Sequence, residues 1–214
     1  MLPKLLVWGA SGHALVVADI IRLQENYEIV GFIDDLNPQR RGEKFCGAPI
    51  LGGQEQLDIY NKSIKYIIFG FGNCQARLNL SQLVEIKGFT LANAIHPKAT
   101  IAADVSIGAG AVIAAGAIVN SQAKIGQNVI INSCASVDHE CVIEDGVHIS
   151  PGVHLGGRVT VGSGTWVGIG ATVINNVRIG RNTLIGAGAV VVNDLVDGVL
   201  AYGVPAKVIR KIEL

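Results

Sequence analysis

The chain has 214 residues, of which 17 are basic and 17 acidic, so its formal net charge at pH 7 is zero. This length provides for one large or two modest domains, and the balanced charge argues against a nucleic-acid partner or an anionic membrane surface. The N-terminus lacks the basic leader, apolar stretch and cleavage site of a secretory signal. We therefore expect a cytoplasmic protein without a membrane span.

The first half of the chain alternates between strand and helix signals. The apolar strand-like runs lie at 4–8, 28–33, 66–69 and 89–92, and the helical patterns lie at 14–23 and 75–85. Such alternation indicates a small parallel sheet covered by helices. We predict a Rossmann-like α/β domain over residues 1–95.

Two polar segments follow strands of this predicted sheet. The turn Gly9-Ala10-Ser11-Gly12-His13 follows the first strand, and Asp34-Asp35 follows the second. Ligands of parallel sheets bind beyond the carboxyl ends of the strands, and backbone amides at a helix start can approach a phosphate. The full G-x-G-x-x-G spacing is absent, so a nucleotide site and a plain strand-to-helix turn both stay open.

The second half of the chain repeats with a period of six. From Ile101 to Val191 every sixth residue is Ile, Leu or Val, and small residues such as Ala111, Ala135 and Cys141 stand two places before. Neither an α-helix nor a hairpin has this period, whereas a parallel β-helix stacks identical positions into apolar columns. We predict a β-helix domain over residues 96–214, with three hexads in each triangular coil.

The strongest chemical motif in the repeats is Asp138-His139-Glu140. A neutral imidazole can take a proton near pH 7, and an adjacent carboxylate can orient the ring; an exposed polar turn is the alternative. His139 falls at a corner of the triangular coil. Gly157, one coil further on, leaves that corner open to a ligand.

His148 and Trp166 are one coil apart, and each immediately precedes an inward apolar residue. Both are therefore predicted to face outward in one column, on the side opposite the His139 corner. Because an outward Trp is typical of an interface, we predict a trimer in which His139 of one chain faces His148 and Trp166 of the next. A dry subunit contact at His148 is the alternative.

The four cysteines, Cys46, Cys74, Cys134 and Cys141, show no metal-ligand spacing such as C-x-x-C. We expect reduced thiols and no metal site. A cysteine nucleophile is a mechanistic alternative, which the absence of a suitably spaced base disfavours.

These features together resemble the bacterial sugar acyltransferases of the left-handed β-helix superfamily. The chain is most similar to the nucleotide-amino-sugar N-acetyltransferases, whose near relatives include sialic acid O-acetyltransferases. The resemblance is carried by the hexads, the glycine turn at 9–13, Asp34-Asp35, Gly72-Asn73, His139-Glu140 and the tail at 203–207.

The resemblance implies a homotrimer that transfers an acetyl group directly from acetyl-CoA to the 4-amino group of a UDP-linked sugar in bacterial glycan biosynthesis. His139 is the implied general base, with Glu140 orienting it. The implied sugar-nucleotide contacts are Ser11, Gly12, His13, Asp34, Asp35, Gly72 and Asn73. The implied acetyl-CoA contacts, in a groove between adjacent β-helices, are His148, Gly157, Ile169 and Ala187, the last at a position where the family usually has glycine.

Other classes stay open at this point. A sialic-acid-type O-acetyltransferase is expected to use the same histidine and groove with a different acceptor pocket. A zinc hydratase needs three histidines at an interface, and His139, His148 and His154 supply that number. A purely nucleotide-sensing or nicotinamide-dependent protein accounts for the N-terminal turn but not for the β-helix.

Overall fold

The computed structural model describes residues 1–212, and the chain divides into two compact units, Met1–Pro97 and Lys98–Leu214. The first unit is an α/β domain and the second is a parallel β-helix. Within residues 1–212, no helix is long and apolar enough to cross a membrane.

The first unit contains seven strands and three α-helices among the described residues. The strands are β1 (Lys4–Trp8), β2 (Glu28–Ile33), β3 (Lys44–Phe45), β4 (Ala48–Gly52), β5 (Tyr66–Phe69), β6 (Thr90–Leu91) and β7 (Ala94–Ile95). The helices are α1 (Gly12–Gln24), α2 (Leu57–Tyr60) and α3 (Cys74–Ile86), with short 3-10 turns at Pro38–Arg40 and Gln54–Gln56. Six strands form one sheet in the order β3-β4-β2-β1-β5-β6, parallel except for β3 against β4.

The centre of this sheet is covered on both faces. Leu5, Leu6 and Val7 of β1 are fully buried, which is typical of a central parallel strand with apolar residues on both sides. The predicted strands at 4–8, 28–33 and 66–69 are confirmed. Helix α1 begins at Gly12, two residues before the predicted start and directly after the extended residue Ser11.

The second unit is built from sixteen two-residue strands, and each ends at one of the predicted apolar positions. They are β8 (Thr100–Ile101), β9 (Ser106–Ile107), β10 (Val112–Ile113), β11 (Ile118–Val119), β12 (Lys124–Ile125), β13 (Ile130–Ile131), β14 (Ser136–Val137), β15 (Val142–Ile143), β16 (His148–Ile149), β17 (His154–Leu155), β18 (Thr160–Val161), β19 (Trp166–Val167), β20 (Thr172–Val173), β21 (Arg178–Ile179), β22 (Leu184–Ile185) and β23 (Val190–Val191). A hairpin of β24 (Val199–Gly203) and β25 (Ala206–Lys211) follows.

Every third strand of the β-helix pairs in parallel with the next, which gives three walls. The walls run β8-β11-β14-β17-β20-β23, β9-β12-β15-β18-β21 and β10-β13-β16-β19-β22-β24. Paired residues of the two-residue strands are eighteen apart, as in Ile130 with His148, whereas those of β22 and β24 are sixteen apart. The apolar position that closes each strand is buried from Ile113 onward, so the predicted columns of apolar side chains form the core.

The corners of the prism share one backbone conformation. At every sixth residue from Gly110 to Gly188, φ lies between +49° and +78°. This left-handed region favours glycine and tolerates asparagine. The corner positions that hold other residue types are Gln122, Cys134, Glu140 and Arg158. Three of these four, Gln122, Glu140 and Arg158, stack in one column beside His139.

Candidate functional site

His139 lies in the turn between β14 and β15, where its side chain is 48 % exposed. Its ring Nδ1 is 2.9 Å from Oε2 of Glu140. The backbone N–H of His139 donates to Oδ1 of Asp138 at 2.8 Å, and the same oxygen accepts from the amide of Asn120 on the preceding coil. The turn therefore fixes the backbone of His139, and Glu140 provides a carboxylate partner for one nitrogen of its ring.

Gly157 lies directly over the His139 ring. A Cβ atom built at Gly157 lies 2.5 Å from Nε2 and 2.6 Å from Cε1 of His139, and real Cβ atoms do not approach other atoms so closely. The ring keeps its place because position 157 has no side chain. Within one chain, Gly157 thus provides the space that the His139 ring occupies, whether or not it also contacts a ligand in a complex.

Glu140 accepts two hydrogen bonds on one oxygen. Besides His139, the Nε of Arg158 donates to Oε2 at 3.0 Å. The hydrogen bond from His139, followed by the one from Arg158, lowers the pKa of the Glu140 carboxyl. Glu140 is therefore an anion at neutral pH, which suits a group that orients an imidazole and stabilises its protonated form.

A polar cleft adjoins Glu140 on the wall that contains β9, β12 and β15. Its volume is about 530 Å³, and its lining includes Asp104, Ser106, Gln122, Lys124 and Glu140. The hydroxyl of Ser121 donates to Asp104 at 2.7 Å and lowers the pKa of that carboxyl. Such a mixture of hydroxyl, amide and charged groups suits a hydroxyl-rich or amino-bearing ligand.

His148 and Trp166 pair across β16 and β19, as the spacing predicts. Their rings stack with centroids 4.6 Å apart. Paired residues share a face of a sheet, so both side chains lie on the outer face of the wall. Trp166 is 38 % exposed, whereas His148 is only 5 % exposed. The indole covers the imidazole, and Trp166 is itself held by a 2.7 Å bond from Nε1 to Ser150.

A hydrogen bond fixes the state of the His148 ring. The amide nitrogen of Asn132 is 3.3 Å from Nε2 of His148. Since an amide nitrogen can only donate, Nε2 accepts, and the neutral ring carries its proton on Nδ1.

Of the other implied acetyl-CoA contacts, Ile169 and Ala187 share a corner and Gly157 lies on another. Ile169 is 61 % exposed, and its carbonyl accepts from Gly188, the residue after Ala187, at 2.8 Å. Both residues lie next to the wall that contains His148. One chain therefore groups His148, Ile169 and Ala187, and separately groups His139, Glu140 and Gly157.

In the first unit, the glycine turn joins β1 to α1 at the carboxyl edge of the sheet. Gly9 has φ +123°, and a Cβ there lies 2.9 Å from the carbonyl oxygen of Gly70 after β5. Ser11 and Gly12 are exposed, and a Cβ at Gly12 has nothing within 4 Å. The thirteen-residue helix α1 thus presents an open N-terminus, where backbone N–H groups favour an anion.

His13 lies in the first turn of α1 and is largely buried. Burial, followed by the positive charge of Arg77, lowers its pKa to about 4. The ring is therefore neutral at pH 7, so any contact it makes with a ligand at that pH is a hydrogen bond of an uncharged imidazole.

Asp34 and Asp35 both bond within the chain. Asp34 is buried and accepts from the backbone of Leu36 and the backbone and side chain of Asn37, at 3.1–3.3 Å. Asp35 accepts from Nε1 of Trp8 at 2.7 Å and from the backbone N–H of Gln54 at 2.6 Å. The carboxylates shape the loop after β2. The predicted nucleotide contacts at these two positions stay predictions.

Gly72 and Asn73 form the loop between β5 and α3. The side chain of Asn73 caps α3 by accepting from Ala76 at 2.8 Å. The carbonyl of Gly72 accepts from the guanidinium of Arg77 at 2.6 Å, and that of Phe71 accepts from it at 3.4 Å. The loop lies beside the glycine turn because β1 and β5 are neighbours in the sheet.

Three arginines at these sites were missed by the sequence reasoning. Arg77 is 1 % exposed and braces the loop before α3. Arg40 donates to the carbonyl of Ala10 in the glycine turn at 2.7 Å and approaches Asp34 at 3.4 Å. Arg158 contacts Glu140. Only Arg158 had a sequence signal, because it stands one coil after Glu140.

The environment of Cys141 and the arrangement of possible metal ligands bear on the two alternative chemistries. Burial raises the pKa of the Cys141 thiol, whose Sγ is 3.2 Å from the carbonyl oxygen of Gly156. A buried thiol of raised pKa is a poor nucleophile. Among residues 1–212, no group of three or more His, Cys, Asp or Glu side chains is placed to hold a metal ion.

Comparison with known proteins finds both units of this architecture. The family model described as PglD N-terminal domain matches residues 4–84. The bacterial transferase hexapeptide model, which comprises six repeats, matches residues 122–157 and 158–193. No curated protein sequence matches the chain significantly.

Several solved structures match over nearly the whole chain. A histidine variant of GDP-perosamine N-acetyltransferase from Caulobacter crescentus, in complex with CoA and GDP-perosamine, is 35 % identical, with a TM-score of 0.93 and 99 % of each chain covered. The acetyltransferase domain of PglB from Neisseria gonorrhoeae, in complex with acetyl coenzyme A, is 36 % identical, with a TM-score of 0.90 and coverage of 98 % of this chain and 100 % of that one. WeeI from Acinetobacter baumannii is 28 % identical, with a TM-score of 0.86 and coverage of 96 % and 99 %.

The fold and the histidine corner define an acyltransferase of the left-handed β-helix class. The chain belongs to the bacterial hexapeptide acetyltransferases that carry a PglD-type N-terminal domain. The predicted family, the left-handed β-helix with a Rossmann-like domain and the acetyltransferase class are confirmed.

Proposed function

We propose that the protein transfers an acetyl group from acetyl-CoA to the 4-amino group of a nucleotide-linked amino sugar in the cytoplasm. The observation that carries this proposal is the 2.9 Å contact between Nδ1 of His139 and Glu140 at an open corner. The Caulobacter relative, crystallised with CoA and GDP-perosamine, and the Neisseria relative, crystallised with acetyl coenzyme A, support the two substrates.

The chemistry follows from the orientation of the imidazole. Because the Glu140 carboxylate accepts from Nδ1–H, the lone pair of the ring lies on Nε2. The neutral amine attacks the thioester carbonyl carbon, and Nε2 takes the proton that the nitrogen then releases. The C–S bond breaks, the amide forms, and the imidazolium returns the proton to the CoA thiolate.

The first unit is proposed to hold the nucleotide. The N-termini of α1 and α3 both point to the carboxyl edge of the sheet, beside Ser11, Gly12 and Asn73. Helix N-termini favour phosphate, and the guanidinium of Arg40 adds a positive charge at the carbonyl of Ala10. We assign the diphosphate to this edge.

For the nucleotide itself, we propose UDP, as the family resemblance indicates. The Caulobacter relative supports GDP as the alternative. The polar cleft beside Glu140 is proposed to receive the sugar, since the ionised Asp104 and Ser106 can bond its hydroxyl groups.

We also propose that the active form is a homotrimer. The large exposed apolar side chains on the walls and corners of the β-helix are Ile118, Trp166, Ile169, Ile174 and Leu184. Such exposure is typical of an interface. In one prism, His139 and the group of His148, Ile169 and Ala187 lie on different sides, so one chain does not bring the base and the acetyl-CoA contacts together. In a trimer, His139 of one chain can face that group on its neighbour. Acetyl-CoA then occupies the groove between adjacent chains.

A substrate screen tests the proposed activity. UDP-, TDP- and GDP-linked 4-amino sugars are incubated with acetyl-CoA while release of the free thiol is followed, and NMR of the product locates the new acetyl group. We expect turnover of at least one acceptor and acetylation of its 4-amino nitrogen. An ester product, or no turnover of any amino sugar while a sialic acid is acetylated, contradicts N-acetyl transfer.

The role of His139 has its own variant. Loss of a general base lowers turnover by roughly 10²- to 10⁴-fold, so His139→Ala is expected to reduce kcat by that factor. The exposed position of the ring predicts an unchanged melting temperature and oligomeric state. Wild-type kcat in His139→Ala removes this residue from the mechanism, even if the acetyltransferase activity stands.

A further inference from the structure

Glu140 and Arg158 occupy equivalent positions on successive coils, one directly above the other. Both have left-handed backbone, with φ +59° and +60°. A side chain other than glycine or asparagine is unfavourable there. Two strained corner residues that bond to each other beside the candidate base therefore need a reason that the fold alone does not give.

The bond geometry supplies that reason. Oε2 of Glu140 accepts from Nδ1 of His139 at 2.9 Å and from Nε of Arg158 at 3.0 Å. Arg158 and the imidazole of His139 therefore bond the same carboxylate oxygen. A glutamate side chain that is 43 % exposed has several rotamers in water, and two bonds on one oxygen restrict it. The bond from His139 holds the carboxylate on the ring, and the bond from Arg158 places a positive charge against the same oxygen.

We propose that Arg158 is a positioning residue that acts through Glu140: it shares Oε2 with the imidazole and so moderates the negative charge that the carboxylate presents to Nδ1 of His139. This inference rests on the proposed function of His139. Arg158 touches neither substrate nor the reacting atoms in this assignment.

The charge of Arg158 has a consequence for the pH dependence of catalysis. The charged and titratable groups near the pair of His139 and Glu140 are Asp138 and Cys141 on the same coil, Arg158 on the next coil, and Asp104 and Lys124, which line the cleft with Glu140. Arg158 is the cation that bonds Glu140 directly, so its charge opposes a second positive charge on the imidazole. Without it, the carboxylates stabilise the imidazolium more strongly, so the ring becomes the neutral, active base only above a higher pH.

The test measures kcat/KM against pH with acetyl-CoA and the best acceptor of the UDP-, TDP- and GDP-linked panel. For Arg158→Gln we expect the acid limb of the profile to move up by roughly half a pH unit, since an exposed pair is partly screened. Arg158→Lys keeps the charge and is expected to keep the limb within experimental error of the wild type. Arg181→Gln is the matched control, because Arg181 forms a similar exposed pair with Glu144 at 3.4 Å on another corner. Its profile should not move.

Two further variants separate positioning from a structural role. Arg158→Gly relieves the left-handed backbone at φ +60°, so we expect an equal or higher melting temperature together with the same shifted profile. A residue that served only the fold gives a lower melting temperature and no shift. In a Glu140→Gln background, Arg158→Gln should cause no further shift, because the effect runs through Glu140.

The inference can fail independently of the proposed function. Suppose that His139→Ala abolishes acetyl transfer. Arg158 then has no positioning role if Arg158→Gln leaves the acid limb in place, or if it shifts that limb equally in the wild-type and Glu140→Gln backgrounds. If no acceptor is turned over, NMR titration of the His139 ring gives the same test. Its midpoint should rise in Arg158→Gln and not in Arg181→Gln, and an unchanged midpoint overturns the inference.

Discussion

At the scale of single residues, the space over the His139 ring is the most sensitive feature of the site. Gly157→Ala places a Cβ 2.5 Å from the wild-type position of Nε2. Because the ring is half-exposed, it can swing away at little energetic cost. We therefore expect at least a tenfold loss of kcat with a change in stability below about 1 kcal/mol.

A double variant is the control for this prediction. With the imidazole already removed in His139→Ala, adding Gly157→Ala should leave the residual rate unchanged, since the ring is the contact that the methyl group displaces. A further loss of rate in the double variant indicates that Gly157 acts on the substrate and not on the ring.

His13 gives a prediction about stability and pH. Its pKa of about 4 in the folded chain lies below the ordinary value of 6.5, so as pH falls below 6.5 the unfolded chain binds a proton that the folded chain does not. The first unit should lose about 2 kcal/mol of stability between pH 7.5 and pH 5 from this group. His13→Gln should lack that part of the loss.

Urea unfolding at the two pH values measures this effect through the fluorescence of Trp8. The experiment uses a Trp166→Phe background, which removes the tryptophan fluorescence of the second unit. Equal pH dependence in the presence and absence of His13 contradicts the assigned burial.

Some features of these residues could be predicted from the sequence and others could not. Counting eighteen residues along the β-helix places Gly157 over His139, and the same count places Arg158 over Glu140. It does not predict the burial of His148, because ring stacking with Trp166 depends on side-chain rotamers. The bonds of Asp34 and Asp35 are equally hidden in the sequence, since their partners at Trp8 and Gln54 meet them only in the folded chain.

At the scale of elements, the N-terminus of α1 is the simplest to test. Gly12→Asp introduces a carboxylate where a Cβ meets open space. An acidic residue in the first turn stabilises a helix, yet it repels a bound diphosphate. We expect an unchanged or higher melting temperature, a KM for the nucleotide sugar raised by about tenfold or more, and an unchanged KM for acetyl-CoA.

Gly12→Asn, of equal size and no charge, is the matched control and should bind the sugar nucleotide more nearly as the wild type does. Equal loss in both variants means that bulk and not charge matters. A raised KM for acetyl-CoA instead moves the nucleotide away from α1.

Regular elements were predictable and irregular ones were not. All sixteen strands of the β-helix end where the six-residue period places them, because a single inward apolar position in each hexad specifies the register. The hairpin of β3 and β4 escaped prediction, since its strands are short and Pro49 in β4 opposes a strand assignment.

At the scale of the whole molecule, the proposed active site is completed by two chains. The implied acetyl-CoA contacts divide between two sides of one prism, and the exposure of Trp166 at 38 % and Ile169 at 61 % is the reason for proposing that their side faces a neighbour. Periodicity predicted the prism, but the sequence of one chain does not contain the geometry between chains.

Complementation between two inactive variants tests this claim most directly. His139→Ala removes the base and Ile169→Glu obstructs the groove, and each alone should leave little activity in an intact trimer. In co-expressed 1:1 mixtures, sites that combine an intact base from one chain with an intact groove from its neighbour should restore roughly a quarter of wild-type activity. If mixed trimers form and remain as inactive as the two parents, the base and the groove belong to the same chain, and the proposed site between subunits is wrong.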